Sequence, residues 1–354
     1  MTARDTIKSL EEAFAGGVRK AHPRLSIIAP CYNEAATIDA FYYALKTVLG
    51  DLSLTPEIIF VDDGSEDETR AKLARFADKD ALVKALFLSR NFGKEAAMSA
   101  GLDHATGDAV IVIDTDLQDP PEVIPEFVEK WREGFDVVYG KRVDRQSDTF
   151  LKRFTAGKFY SLFNSMSGVK IPENTGDFRL MDRRVVEAIK QLPERSRFMK
   201  GLFAWVGYNS TAVEYVRPER NAGSSKFNYW KLWNFALDGF VSFSSAPLRV
   251  WSYVGAVVAS FAFLYATAII ISVLLTGIDL PGYASLLTFV LFLGGVQILS
   301  IGVLGEYISR LFIEVKQRPV YIVDRVIESS KAKPHAINGD AAADLAQNEA
   351  SGAA

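Results

Sequence analysis

Cysteine and histidine are scarce in this chain of 354 residues. Cys31 is the one cysteine, and the three histidines are His22, His104 and His335. An intrachain disulfide framework and a multi-cysteine zinc site are therefore excluded, and the small number of histidines argues against a multi-histidine metal site. Basic and acidic residues nearly balance, at 40 and 43, so no excess of positive charge indicates nucleic acid as a partner. Any chemistry must rest mainly on Asp, Glu, Lys and Arg, and we expect Cys31 to be a small buried apolar residue.

Charged residues are missing from two long stretches near the carboxyl end. Residues 250–278 form a run of 29 without a charged side chain, and residues 280–305 form a run of 26. About 20 helical residues span the hydrocarbon core of a bilayer. The sequence therefore predicts a hairpin of two transmembrane helices within 250–310, at about 251–275 and 283–305.

Positive charge flanks this hairpin only on its outer sides. The hairpin is preceded by Lys231 and Arg249 and followed by Arg310, Lys316 and Arg318. The connector between its two helices, residues 276–282, has neither Lys nor Arg. The positive-inside rule predicts a multi-pass protein of the cytoplasmic (inner) membrane with both termini in the cytoplasm.

The remaining chain divides by composition. We expect an N-terminal extension over 1–24, a folded domain over 25–225 and an amphipathic juxtamembrane segment over 226–249. After the hairpin we expect a cytoplasmic segment over 311–330 and a disordered tail over 331–354. Residues 1–24 lack the apolar core of a signal peptide.

Short apolar runs alternate with amphipathic patterns between residues 25 and 139. Strands are predicted at 25–30, 58–61, 83–88, 109–113 and 136–139, with helices at 38–49, 69–77, 94–105 and 121–131. This alternation predicts an α/β fold with a mostly parallel, Rossmann-like sheet covered on both faces. Ligands of such sheets bind beyond the carboxyl ends of the strands.

Polar motifs follow four of the predicted strands, at residues 30–34, 62–65, 89–94 and 114–119. Acidic residues at strand ends often only cap the next helix, as we expect of Asp67 and Glu68. Four clusters at one edge of a sheet are more than capping requires. Together they predict a binding site.

Asp114 and Asp116 stand directly after a predicted buried strand, which would put them on the same side of an extended segment. Two carboxylates there, with Gln118 two residues further on, can hold a hard divalent cation such as Mg²⁺ or Mn²⁺. Such ions are commonly shared with substrate phosphates. The pattern predicts a nucleotide diphosphate bridged by a metal.

Six motifs together resemble glycosyltransferase family 2. They are P-x-Y-N-E at 30–34, V-D-D-G-S at 61–65, R-N-F-G-K at 90–94, D-x-D-L-Q-D-P-P-E at 114–122, G-D-F-R-L at 176–180 and R-x-x-G-x-S-K at 220–226. The chain is similar to the polyprenyl-phosphate glycosyltransferases, which include dolichol-phosphate mannose synthases and bactoprenol glucosyltransferases. The resemblance covers roughly residues 25–325. It implies a GT-A catalytic domain, and the two-span hairpin matches the bactoprenol branch.

The resemblance also implies roles for individual residues. The nucleotide sugar would be held by Pro30, Tyr32, Glu34, Asp63, Lys94, Asp114, Thr115 and Asp116. Asp114, Asp116 and Gln118 would hold the metal, a Lewis acid for the departing diphosphate. Asp177 lies where the family places its candidate catalytic base. Because a phosphate acceptor is mostly ionised at neutral pH, Asp177 could instead orient the sugar or hold Arg179.

Basic and aromatic residues mix in two further segments, 141–163 and 226–243, in a pattern typical of membrane-surface elements. The acceptor phosphate is predicted to bind Arg142, Arg153, Arg220 and Lys226. Simple attraction of these cations to anionic lipid is the alternative.

These features predict an inverting, metal-dependent transfer of a sugar to undecaprenyl phosphate at the cytoplasmic face of the membrane. UDP-glucose is the expected donor, on the resemblance alone. One alternative is a processive polysaccharide synthase of the same family, although residues 195–198 lack its Q-x-x-R-W motif. Another is an inactive membrane-bound adaptor that only binds nucleotide sugar. The resemblance also implies a homo-oligomer, a tetramer.

Overall fold

The computed structural model describes residues 22–143, 172, 175–216, 246–276 and 282–328. The strands in these residues are β1 Arg24–Cys31, β2 Thr55–Asp62, β3 Val83–Leu88, β4 Ala109–Val112, β5 Val137–Arg142, β6 Thr175–Asp182, β7 Ser210–Tyr215 and β8 Val323–Glu328. The helices are α1 Ile38–Gly50, α2 Thr69–Lys79, α3 Lys94–His104, α4 Ile124–Arg132, α5 Arg183–Lys190, α6 Met199–Trp205, α7 Ala246–Thr276 and α8 Tyr283–Lys316. A short 3₁₀ turn, Pro121–Val123, precedes α4.

One eight-stranded sheet joins all of these strands in the order β7-β5-β6-β4-β1-β2-β3-β8. Its centre is parallel, because β1 pairs with β2 and β4, and β2 pairs with β3. β5 and β7 are also parallel, whereas β6 runs antiparallel to β4 and β5. The predicted mostly parallel α/β sheet is therefore confirmed, and β3 has the bounds that the sequence predicts.

Helices cover both faces of the sheet. Ile27 and Phe60 point to the side covered by α1, α2 and α4, while Ile28 and Ile59 point to the side covered by α3, α5 and α6. Neighbouring strand residues point to opposite faces, so these continuous apolar runs supply two cores. Gly101 lets α3 approach β1 closely, because a Cβ atom there would collide with the Ile28 side chain.

β8 is an element that the sequence analysis does not predict. It follows α8 and pairs antiparallel with β3 at the edge of the sheet. Gln317, with φ of 48°, turns the chain at the end of α8, and the N–H of Ser89 donates to the carbonyl oxygen of Ile322 at 3.0 Å. The predicted cytoplasmic segment 311–330 therefore contributes to the sheet, and the folded domain is not confined to 25–225.

The two long uncharged stretches form α7 and α8, which are longer than the predicted 251–275 and 283–305. Large apolar side chains on both helices are exposed, among them Phe261, Leu274 and Phe292. In the described residues one stretch, Phe292–Lys316, is long and apolar enough by itself to cross a membrane, and α7 contains a shorter apolar stretch. Outside the described residues lie most of the predicted connector, residues 1–21 of the N-terminal extension, most of the juxtamembrane segment and the tail. Arg24, the last residue of the predicted extension, begins β1.

Candidate active site

The first two strand-end motifs form one wall of a site beyond the carboxyl ends of β1 and β2. The N–H of Asn33 donates to Ser65 Oγ, and Asn33 Oδ1 accepts from the N–H of Glu66, each at 2.9 Å. The N–H of Glu34 donates to Thr69 Oγ1 at 2.9 Å. Asn33 has φ of 55°, a conformation that asparagine tolerates better than most residues. These bonds fix the loop that carries Tyr32, which is 38% exposed.

Asp63 joins the second motif to the third. Its buried carboxylate accepts from the N–H groups of Phe92 at 2.7 Å and Gly93 at 2.8 Å. Burial raises the pKa of Asp63, and these two donors act in the opposite direction. Gly64 is required between the loops, because a Cβ there would lie 2.5 Å from the backbone of Arg90. The observed contacts of Asp63 are structural, and its predicted contact with the nucleoside stays a prediction.

Lys94 connects the third motif to two carboxylates. Its Nζ atom lies 2.6 Å from Asp114 Oδ1 and 2.6 Å from Asp177 Oδ2. Burial lowers the pKa of Lys94, but the charges of Asp114 and Asp177 outweigh it and the net direction is upward. Lys94 is therefore a charged bridge between β4 and β6, the strand that carries Asp177.

Asp177 reaches this cluster because β6 runs antiparallel beside β4. Burial alone would raise the pKa of Asp177, but Lys94 and Lys200 lower it well below its usual range. Asp177 Oδ1 is buried and has no hydrogen-bond partner in the part of the chain that the structure describes. An acid held ionised in this way is a weak proton acceptor, which favours an orienting role over a base.

Glu95, Arg179 and Lys200 also surround Asp177, although the sequence analysis assigns no site role to Glu95 or Lys200. Glu95 Oε2 accepts from the N–H of Met199 at 3.1 Å, and burial followed by the charge of Asp177 raises the pKa of Glu95 to about 7. Arg179 donates to the carbonyl oxygen of Gly176 at 3.0 Å. Arg179 and Lys200 line a cavity of about 180 Å³. No spacing in the sequence indicates these neighbours, since β6, α3 and α6 are far apart along the chain.

The predicted metal ligands lie in a turn instead of the expected extended segment. Asp116 Oδ1 accepts from the N–H of Gln118 at 3.1 Å, and Leu117 between them has φ of 60°. A short acidic side chain that bonds to the backbone two residues ahead folds the chain into such a turn. Asp114 remains beside it, and Thr115 is buried.

The two predicted carboxylate ligands, Asp114 and Asp116, fit a metal ion shared with a substrate better than a metal ion held by protein ligands alone. Among the described residues, no group of three or more His, Cys, Asp or Glu side chains is placed to hold a metal ion. Asp114 and Asp116 offer the hard oxygen ligands that Mg²⁺ and Mn²⁺ prefer. Oxygen atoms from a substrate diphosphate would complete the coordination.

Arg142 belongs to a network beside Gly176, the residue before Asp177. Its Nη2 lies 3.3 Å from Asp119 Oδ1, and its Nε donates to Tyr215 Oη at 3.2 Å. Tyr215 Oη in turn donates to Asp119 Oδ1 at 2.5 Å. A Cβ at residue 176 would lie 2.8 Å from Arg142 Nη2, so Gly176 makes room for this guanidinium. Asp119 stands in the fourth motif, but no sequence signal identifies Tyr215.

The other predicted residues are placed as follows. Pro30 is in β1, Glu34 accepts from Thr37 Oγ1 at 2.9 Å, and Cys31 is buried as expected. The remaining predicted acceptor ligands, Arg153, Arg220 and Lys226, lie outside the described residues.

Comparison with known proteins agrees with this architecture. Residues 26–190 match the family described as Glycosyl transferase family 2, and residues 246–311 match the GtrB C-terminal hairpin. The chain is 56% identical over 305 residues to the SfII prophage-derived bactoprenol glucosyl transferase of Shigella flexneri, covering 85% of this chain and 98% of that protein. The chain belongs to glycosyltransferase family 2.

This glycosyltransferase is also 54% identical over 303 residues to the prophage bactoprenol glucosyl transferase homolog of Escherichia coli (strain K12), covering 86% and 99% of the two chains. Among solved structures it is similar to glucosyl-3-phosphoglycerate synthase from Mycobacterium tuberculosis, at 20% identity and a TM-score of 0.45, covering 67% and 82%. The family assignment and the mixed sheet together identify the folded domain as GT-A-like.

Proposed function

We propose that this glycosyltransferase transfers glucose from UDP-glucose to undecaprenyl phosphate with inversion, assisted by Mg²⁺ or Mn²⁺. The observation that supports this most directly is the Lys94 bridge between Asp114 and Asp177 at the carboxyl ends of the strands. The relatives named bactoprenol glucosyl transferase support the choice of sugar and lipid acceptor.

On the donor side, the β1–α1 loop and the Asp114–Asp116 turn would hold UDP-glucose between them. Tyr32 is exposed and would offer an aromatic face for the base, and Pro30, Glu34 and Asp63 would complete the nucleoside site. Thr115 would contact the ribose and diphosphate, and Lys94, beside Asp114, would neutralise charge near the diphosphate. A metal held by Asp114, Asp116 and Gln118 would act as a Lewis acid on the departing diphosphate.

On the acceptor side, the attacking group needs little help from a base. The second pKa of a phosphate monoester is about 6, so most of the acceptor is dianionic at pH 7. Lys94 and Lys200 hold Asp177 ionised, and this carboxylate would orient the sugar. Arg142, which lies beside Gly176, would attract the lipid phosphate together with Arg153, Arg220 and Lys226.

The long helices would hold the site at the membrane. We propose that α7 and α8 form a multi-pass hairpin in the inner membrane, with the GT-A domain and both termini in the cytoplasm. Their exposed apolar side chains, the matched hairpin family and the positive charges flanking the predicted spans support this orientation. A homotetramer remains a prediction from the family resemblance.

The test is a transfer assay with radiolabelled nucleotide sugars and undecaprenyl phosphate in vesicles. We expect label from UDP-glucose in the organic phase, dependent on Mg²⁺ or Mn²⁺, and a product of inverted anomeric configuration by NMR. Donor turnover without lipid product would contradict the proposed acceptor. Donor binding without any turnover would favour the inactive adaptor.

A further inference from the structure

Glu314, near the end of α8, accepts hydrogen bonds from the backbone of the folded domain. Its Oε1 and Oε2 atoms accept from the N–H of Arg195 at 2.9 and 3.1 Å, and Oε1 also accepts from the N–H of Ser196 at 3.0 Å. Hydrogen bonds to an ionised acceptor are roughly twice as strong as neutral ones. One turn earlier, Arg310 Nη1 lies 3.4 Å from Ser196 Oγ. A helix predicted to leave the membrane is thus bonded to one short loop.

That loop leads directly to the active site. Arg197 Nη1 donates to Ser99 Oγ on α3 at 3.2 Å, and the N–H of Met199 donates to Glu95 Oε2 at 3.1 Å. Lys200 is the next residue, and its positive charge lowers the pKa of Asp177. Residues 195–200 therefore contact Glu314 at one end and lie at the other end beside the cluster of Lys94, Asp114 and Asp177.

A second connection holds the same helix end. Past Glu314 the chain turns and enters β8, which pairs with β3. Tyr321 Oη donates to Asp103 Oδ2 on α3 at 2.7 Å. Since the 195–196 backbone and β8 both hold this helix end, rotation of α8 against the sheet is restricted.

We propose that Glu314 is a positioning residue that sets the height and orientation of the active site relative to the membrane-embedded acceptor. It does so by fixing the 195–200 segment to the end of α8. This inference rests on the proposed function, since it concerns a lipid acceptor in the bilayer. Glu314 lies outside the proposed substrate sites, and it acts on the placement of the folded domain against α8, not on the charges around Asp177.

The experiment uses the full-length protein in vesicles that contain undecaprenyl phosphate, compared with a short, water-soluble prenyl phosphate. We expect Glu314→Ala to lower kcat with the membrane acceptor by about tenfold, with KM for UDP-glucose and turnover of the soluble acceptor changed by less than about threefold. Glu314→Gln retains one accepting oxygen and should lie between. Glu133→Gln is the control, because it removes an exposed carboxylate paired with Lys130 of α4, which covers the opposite face of the sheet from α6.

Hydrogen exchange provides a readout independent of activity. Loss of the carboxylate should speed exchange of the Arg195 and Ser196 amides by about tenfold, and Glu133→Gln should leave them unchanged. If Glu314→Ala does not fold, Glu314→Gln is judged by the same criteria.

Two outcomes would overturn the proposal: unchanged exchange at these amides, or an equal loss with both acceptors. The second would mean that Glu314 only stabilises the domain. If the wild-type protein itself transfers to no prenyl phosphate, the proposed function is wrong and the positioning role falls with it. That failure is distinguishable because it is seen before any substitution.

Discussion

Replacing Lys94 by methionine tests the central charge arrangement, because it keeps the length of the side chain and removes its charge. The oxygens of Asp114 and Asp177 each lie 2.6 Å from Lys94 Nζ. The two oxygens are therefore at most about 5 Å apart. Two unit charges at that distance repel by about 3 kcal/mol at an effective dielectric constant of 20, and by under 1 kcal/mol in water.

Solvent exposure decides where between these two limits the repulsion energy of the carboxylates falls. The Lys94 side chain is 42% exposed, so screening is substantial. We expect a loss of about 1–2 kcal/mol, or a decrease of about 5- to 30-fold in kcat/KM. Any direct contact of Lys94 with the diphosphate would add to this loss through KM for the donor.

The pH profile should change as well. In the wild type, Lys94 contributes to keeping the pKa of Asp177 well below its usual range, so the fall in activity below neutrality should follow only the acceptor phosphate, whose second pKa is about 6. In Lys94→Met the pKa of Asp177 rises, and activity should fall as the pH is lowered through the higher value. The assay is kcat/KM from pH 5 to pH 8, with thermal unfolding to verify folding.

Two controls accompany this variant. Lys94→Arg keeps the positive charge and should recover much of the activity. Lys130→Met removes a lysine paired with Glu133 on the surface of α4 and should have no effect. The proposed role of the Lys94 charge is contradicted if kcat/KM of Lys94→Met stays within twofold of the wild type, or if Lys94→Arg is as impaired as Lys94→Met.

Three further substitutions test other parts of the site. Asp116→Asn should abolish transfer while the midpoint of thermal unfolding is retained, because it removes one of two predicted carboxylate ligands of the metal; near-normal turnover would contradict that role. Glu95→Gln should stabilise the protein at pH 8 but not at pH 4. The pKa of Glu95 is about 7 in the folded state and near 4.5 in the unfolded state, so the wild type loses stability as the pH rises between these values, whereas Gln carries no charge. An unfolding midpoint shifted equally at both pH values would contradict the raised pKa of Glu95. Tyr215→Phe removes the hydroxyl that bonds Asp119 and Arg142, and should lower kcat/KM for the lipid acceptor about tenfold and the free energy of unfolding by about 1–2 kcal/mol. Unchanged acceptor kinetics in Tyr215→Phe would separate Arg142 from the acceptor site.

Local sequence pattern determined the central part of this fold. β3 has the bounds that its apolar run predicts, and α1 and α2 begin at the predicted residues. This follows because helix and strand periodicity act over a few residues, and because the carboxyl ends of parallel strands must share one edge. The motifs after β1–β4 could therefore be assigned to one site before any contact was known.

Tertiary structure decided which groups meet there. Lys94 and Asp177 are 83 residues apart, Tyr215 and Asp119 are 96 apart, and Glu314 and Arg195 are 119 apart. No periodicity links such positions, because each pairing depends on the order of strands in the sheet and not on neighbouring residues. β6 reaches the site by running antiparallel beside β4, and the chain after α8 returns to β3 through β8. The depressed pKa of Asp177 and the attachment of α8 exist only once these distant segments have packed together.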